Sequence, residues 1–206
     1  WGNNGSGEAG QGHDTDITSA LMGDSLPGIQ LGTGRHAVDF FTGTNCAKLD
    51  NGTVKCWGSQ FTQKTGNENS YYGDLPGEMG AGLPVSDLGT GRTAKDIFIG
   101  EANMCAILYN NVVKCSGYGR DGRLGNGVWQ VDNGYRPLYA GDNAQPAQLN
   151  PSRTVLAGSM GAQHTCVLFD DFKVQCWGMN NDGELGIGTT TNIETGETMN
   201  SLTDIN

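Results

Sequence analysis

Apolar residues along the chain come in short runs, each long enough for one strand and each closed by a glycine. Three such runs are Asp39-Phe-Phe-Thr-Gly43, Asp96-Ile-Phe-Ile-Gly100 and Thr154-Val-Leu-Ala-Gly-Ser-Met-Gly161. None approaches the roughly 20 residues that a membrane-spanning helix needs. Short apolar runs separated by turn residues predict many short strands, and hence an all-β protein. Clustered Trp, Phe, Ile, Val and Leu give the chain material to bury, which argues against disorder. The 34 glycines among 206 residues do not recur every third position, so a collagen helix is excluded.

The runs repeat. Cys46-Ala-Lys-Leu-Asp-Asn-Gly-Thr-Val-Lys-Cys56, Cys105-Ala-Ile-Leu-Tyr-Asn-Asn-Val-Val-Lys-Cys115 and Cys166-Val-Leu-Phe-Asp-Asp-Phe-Lys-Val-Gln-Cys176 align, with first cysteines 105 − 46 = 59 and 166 − 105 = 61 residues apart. Each leads into a glycine motif: Trp57-Gly58, Ser116-Gly117 and Trp177-Gly178, with Trp1-Gly2 a fourth copy. Trp1 to Gly12 matches Trp177 to Gly188 at every glycine except Gly5, and Ser116 to Gly127 keeps Gly122, Gly125 and Gly127. The copy at Trp57 is eroded and retains only Gly58 and Gly66. A block before the cysteines also recurs: Leu31-Gly-Thr-Gly-Arg35 returns as Leu88-Gly-Thr-Gly-Arg92, and the third version is looser. Period and motif together read as a repeat architecture.

The copy running from Gly161-Ala-Gln-His-Thr-Cys to Trp177-Gly-Met-Asn-Asn-Asp-Gly-Glu-Leu-Gly-Ile-Gly188 resembles the regulator-of-chromosome-condensation repeat. The resemblance implies a seven-bladed β-propeller with four antiparallel strands per blade. Seven repeats at this spacing need about 400 residues, so roughly half a ring is expected over residues 1–206. That half ring divides into a blade remnant at 1–31 and repeats around 32–88, 89–149 and 150–206. Beginning inside a blade motif, the chain is expected to be completed by further sequence of a parent protein. Three departures stand out: Ser116 in place of Trp, the eroded stretch after Ser59, and the cysteine pairs.

The cysteines form three pairs, each ten residues apart across a predicted hairpin. If Cys46 faces Cys56, then Ala47 faces Lys55, Lys48 faces Val54 and Leu49 faces Thr53. Asp50-Asn51-Gly52 is left as a three-residue loop with glycine in the left-handed position, a favoured hairpin. Asn111 takes that position in the second copy, which Asn tolerates. Phe172 takes it in the third, where it fits poorly, so that loop is expected to differ. Cys46–Cys56, Cys105–Cys115 and Cys166–Cys176 are therefore read as disulfides. The alternative is free buried thiols. Disulfides on this scale point to an extracellular or cell-surface protein. The sequons Asn4-Gly-Ser6 and Asn51-Gly-Thr53 offer Asn4 and Asn51 as N-glycosylation candidates.

Charge then removes partner classes. The net charge is −10, from 12 basic and 22 acidic residues without a Lys/Arg cluster, which disfavours nucleic acid and anionic membranes. Catalytic patterns are missing too. No Gly-x-Ser-x-Gly elbow is present, and Gly5 to Gly10 lacks the Gly-Lys-Ser/Thr ending of a phosphate loop. Asn180-Asn-Asp-Gly183 and Asp14-Thr-Asp16 do not meet the twelve-residue calcium pattern. His13 and His36 read as surface residues, and His164 as a structural hydrogen-bonding residue. No catalytic residue, metal site or cofactor is expected.

Trp1, Trp57 and Trp177 recur once per repeat and read as blade-core packing. The aromatics that do not recur are more informative. Tyr71 and Tyr72, with Trp129, Tyr135, Arg136 and Tyr139 from the third copy, combine residue types that anchor interfaces with loops on one propeller rim. The resulting expectation is a non-catalytic extracellular interaction or assembly module, binding a protein partner or the rest of its own propeller. A secreted inhibitor and, further off, a nucleotide-exchange factor for a small GTPase are the rival functions.

Overall fold

The computed structural model describes residues 1–41, 45–59, 71–101, 103–128, 140–194 and 202–205. Among the described residues, three three-stranded antiparallel sheets follow one another along the chain. The first holds β1 (Ala37–Phe41), β2 (Cys46–Leu49) and β3 (Val54–Cys56). After it, β4 (Gly58–Ser59) pairs with β5 (Tyr71–Tyr72). The second sheet holds β6 (Ala94–Ile99), β7 (Asn103–Leu108) and β8 (Val113–Gly117), and the third β9 (Val155–Met160), β10 (His164–Phe169) and β11 (Val174–Gly178). In each three-stranded sheet the middle strand in sequence is the middle strand in space. Each sheet is one propeller blade.

A fourth strand is present in each blade as a single bridge. Val85 bridges β3, Pro146 bridges β8 and Ile205 bridges β11, all antiparallel. The backbone repeats the bond each time: Ser86 donates to Val54 at 2.7 Å, Ala147 to Val113 at 2.8 Å and Ile205 to Val174 at 2.9 Å.

The hairpin register is the one expected from the cysteine spacing. Cys46 pairs with Cys56, Ala47 with Lys55 and Lys48 with Val54, and the second and third hairpins follow suit. Disulfides join Cys46–Cys56, Cys105–Cys115 and Cys166–Cys176 at Cα separations of 4.1, 4.0 and 4.1 Å. Gly52, Asn111 and Phe172 sit at φ of 75°, 62° and 62°. The third loop thus keeps the geometry of the other two despite its phenylalanine. A non-glycine residue there costs about 1–2 kcal/mol.

Side-chain alternation decides which blade face meets which. Cys46, Val54 and Cys56 cluster with Ala94, Ile97, Met104, Ala106 and Leu108 of the next blade. Cys105, Ile107, Val113 and Cys115 cluster in the same way with Val155, Val167 and Phe169. The first two disulfides therefore lie on the face turned toward the following blade and are buried between blades. The hairpin tips tie the same joints: Gly52 accepts from the Ala94 N–H at 2.8 Å, and the Asn111 Oδ1 accepts from the Val155 N–H at 3.1 Å.

The looser third block retains its arginine. Arg153 stands where Arg35 and Arg92 stand, with its guanidinium 3.9 Å over the buried Phe169 ring. It pairs with Asp171 at 2.7 Å and Asp204 at 2.8 Å. Its hydrogen bond holds the Asp171 carboxyl below the usual range.

Candidate interaction surfaces

Each blade has two ends. At one, the tryptophan and glycine motifs fold into loops, and those loops are built to receive the next blade's tryptophan. The Trp57 indole N–H donates to the Glu8 carbonyl at 3.1 Å, and that of Trp177 donates to the Arg123 carbonyl at 3.1 Å. Glu8 and Arg123 are equivalent positions in successive motifs. The glycine two residues on makes room: a Cβ on Gly10 would lie 3.0 Å from the Trp57 Nε1, and one on Gly125 would lie 2.6 Å from the Trp177 Nε1. Trp57 and Trp177 are accordingly buried, whereas Trp1 is 79% exposed.

The loops are pinned from inside by asparagine. Asn180 Nδ2 donates to Thr189 and Thr191 carbonyls at 2.7 and 3.1 Å, and its Oδ1 accepts from the Leu185 N–H at 2.9 Å. Asn4 does the same, donating to His13 and Thr15 carbonyls at 2.6 and 3.1 Å and accepting from the Ala9 N–H at 2.7 Å. Both are fully buried. Asn4, one of the two sequon asparagines, thus has both amide hydrogens committed within its own loop. Asn180→Ala is expected to destabilise by about 1–3 kcal/mol by stranding the buried Leu185 N–H, which denaturant titration measures.

The His-Thr pair divides its labour differently from the sequence reading. Thr165 is buried, and its hydroxyl donates to the Arg123 carbonyl at 2.8 Å, the same oxygen that takes the Trp177 indole. The His164 ring instead lies against the Gly161 Cα, where an added Cβ would come 2.3 Å from Cε1. Arg123 occupies the position of Glu8 and Glu184, whose carboxylates each accept a backbone N–H at 2.9 Å. It pairs with Asp121 at 2.9 Å and donates to the Ala162 carbonyl at 3.0 Å.

The expected partner residues fall into three groups. Tyr72 is half-buried against the core of Ala47, Leu49, Trp57 and Leu83. It pairs with Gly58 much as Ile17 pairs with Gly2 and Ile193 with Gly178, so it occupies a recurring position. Tyr71 is 40% exposed beside it. Trp129, Tyr135, Arg136 and Tyr139 lie outside the described residues.

The other end of each blade carries the β2–β3, β7–β8 and β10–β11 hairpin tips. There the structure adds an aromatic that sequence reasoning passed over, Tyr109, at 72% exposure on the central blade. It escaped notice because it stands inside the aligned cysteine block, where Asp50 and Asp170 are its counterparts. Between the blades, the first strands enclose a concavity of about 450 Å³ lined by Asp39, Phe40, Ile97, Phe98, Ser159 and Met160 among others. The Asp39 and Asp96 carboxylates there each accept the following backbone N–H at 2.9 Å. Among the described residues no group of three His, Cys, Asp or Glu is placed to hold a metal, and no helix is long and apolar enough to cross a membrane.

Successive antiparallel sheets, stacked face to face with their hairpins in phase, define this chain as part of a β-propeller. Residues 155–184 match the regulator of chromosome condensation (RCC1) repeat. The other copies of the motif stand in register with that one. Human WBSCR16 superimposes with a TM-score of 0.64 at 21% identity, over 93% of this chain and 45% of that one. Yeast RCC1 (Prp20) bound to Kap60 gives 0.61 at 18% identity, over 95% and 43%. Prp20p of Saccharomyces cerevisiae, described with its binding to Gsp1p and histones, gives 0.54 at 18%, over 75% and 33%. The chain thus spans less than half the length of these propellers. No curated protein matches it.

Proposed function

We propose that the chain is a non-catalytic protein-interaction module of an extracellular or cell-surface protein, completed in its parent by further blades. The observation that carries this reading is Tyr109. It stands 72% exposed on a tip with a blade on either side, fixed by its own N–H to the Thr93 carbonyl at 3.4 Å. A large aromatic on a rigid tip offers apolar area at little entropic cost, the property of interface anchors. Tyr71 extends the same character to the opposite rim. Similarity to propellers described in complex with protein partners supports the class of ligand, and the three disulfides support the oxidising compartment.

Binding of the folded chain to secreted and cell-surface proteins tests the reading. Tyr109→Ala is expected to weaken the interaction at least about tenfold, or ~1.4 kcal/mol, with the fold unchanged by circular dichroism. A partner that binds Tyr109→Ala and Tyr71→Ala variants as tightly as the parent chain would sink the assignment of these surfaces.

A further inference from the structure

The two sequons occupy opposite environments, and a glycosylated asparagine has one requirement that separates them. Its amide nitrogen keeps a single hydrogen and needs a path outward for the sugar. Asn4 gives both hydrogens to the His13 and Thr15 carbonyls and is itself fully enclosed. Asn51 sits exposed on the tip of the first hairpin. Its Oδ1 accepts from both the N–H and the hydroxyl of Thr53, at 3.2 and 2.7 Å. Two donors on that atom fix it as the oxygen, so the nitrogen is the end turned away. Among the described residues that nitrogen donates no hydrogen bond. The tip's contact with the next blade is made by Gly52, whose Cα lies against Thr93, and leaves the Asn51 side chain outside the joint. Elsewhere, Asn150-Pro-Ser152 is barred by its proline, and the counterparts of Asn51 at the other tips, Asn110 and Asp171, belong to no sequon.

We propose that Asn51, and not Asn4, carries an N-linked oligosaccharide in the folded protein. The proposal rests on residence in the secretory pathway. The donor class is an oligosaccharide on a lipid diphosphate. The Asn51 nitrogen bonds to the anomeric carbon, the bond from that carbon to the diphosphate oxygen breaks, and the amide releases one proton as the lipid diphosphate leaves; nothing is oxidised. The sugar marks the first blade's tip and leaves the tip of the second, with Tyr109, uncovered.

The test is expression behind a signal sequence in a eukaryotic cell, followed by peptide mapping of medium and cells after enzymatic deglycosylation in heavy-oxygen water. One label is expected, on Asn51. Asn51→Gln and Thr53→Ala should each abolish the gel shift completely, and Ser6→Ala should leave it intact. An unlabelled Asn51 in either fraction, or a labelled Asn4 in protein with all three disulfides formed, overturns the proposal. Free thiols in the secreted protein, with Asn51 labelled, would count against the proposed compartment while the glycan site stands.

Discussion

Gly125→Val is expected to cost at least about 4 kcal/mol, lowering the melting temperature by roughly 10 °C or more in a protein of this length. Two penalties add. At φ 65° any side chain on residue 125 is in the left-handed region, which by itself costs about 1–2 kcal/mol. The new Cβ also lands 2.6, 2.7 and 3.1 Å from three atoms of the Trp177 indole, which is fully buried and has no room to retreat. The ring must leave its place and give up its bond to Arg123. Gly34→Ala separates the two terms: Gly34 has φ 68° with nothing within 4 Å, so only the backbone penalty applies. Thermal unfolding of both variants by calorimetry checks this. Equal losses at the two sites would show that the indole seat contributes nothing.

The disulfides are expected to yield to reductant in a fixed order. Cys46, Cys56, Cys105 and Cys115 are at most 3% exposed, pressed between blades, whereas Cys166 is only partly buried. A thiolate reagent must reach sulfur in line with the bond, so Cys166–Cys176 should open first under mild reduction. Differential alkylation and mass mapping should find both of its cysteines labelled before the other four. Removal of the buried central bond by Cys105→Ala with Cys115→Ala is expected to cost about 3 kcal/mol from loop closure alone. Simultaneous opening of all three bonds would mean that access requires global unfolding.

Much of this was legible in the sequence where chemistry and geometry share a short segment. A cysteine pair ten residues apart around Asp-Asn-Gly leaves one sensible register, and the hairpin adopts it. The limits appear where position depends on a distant strand. Nothing local shows what Trp57 or Trp177 lies on; each seat is a carbonyl and a bare glycine of a loop, 49 and 54 residues upstream. Asn4 reads as a sequon because Gly-Ser follows, yet the same asparagine is claimed by carbonyls nine and eleven residues away. His164 drew attention through its chemistry, but the buried bond belongs to Thr165. Tyr72 looked like an interruption because the segment before it is eroded, and only its pairing with Gly58 reveals a regular place.

The indole seats also bear on how the stack yields to force. Every covalent cross-link closes a loop within a single blade, so tension along the chain is carried from one blade to the next by apolar packing and a few hydrogen bonds. Trp57 and Trp177 each fasten their blade to the preceding loop through the indole N–H. Stretched end to end, the array should come apart blade by blade, each leaving the stack as an intact, cross-linked unit.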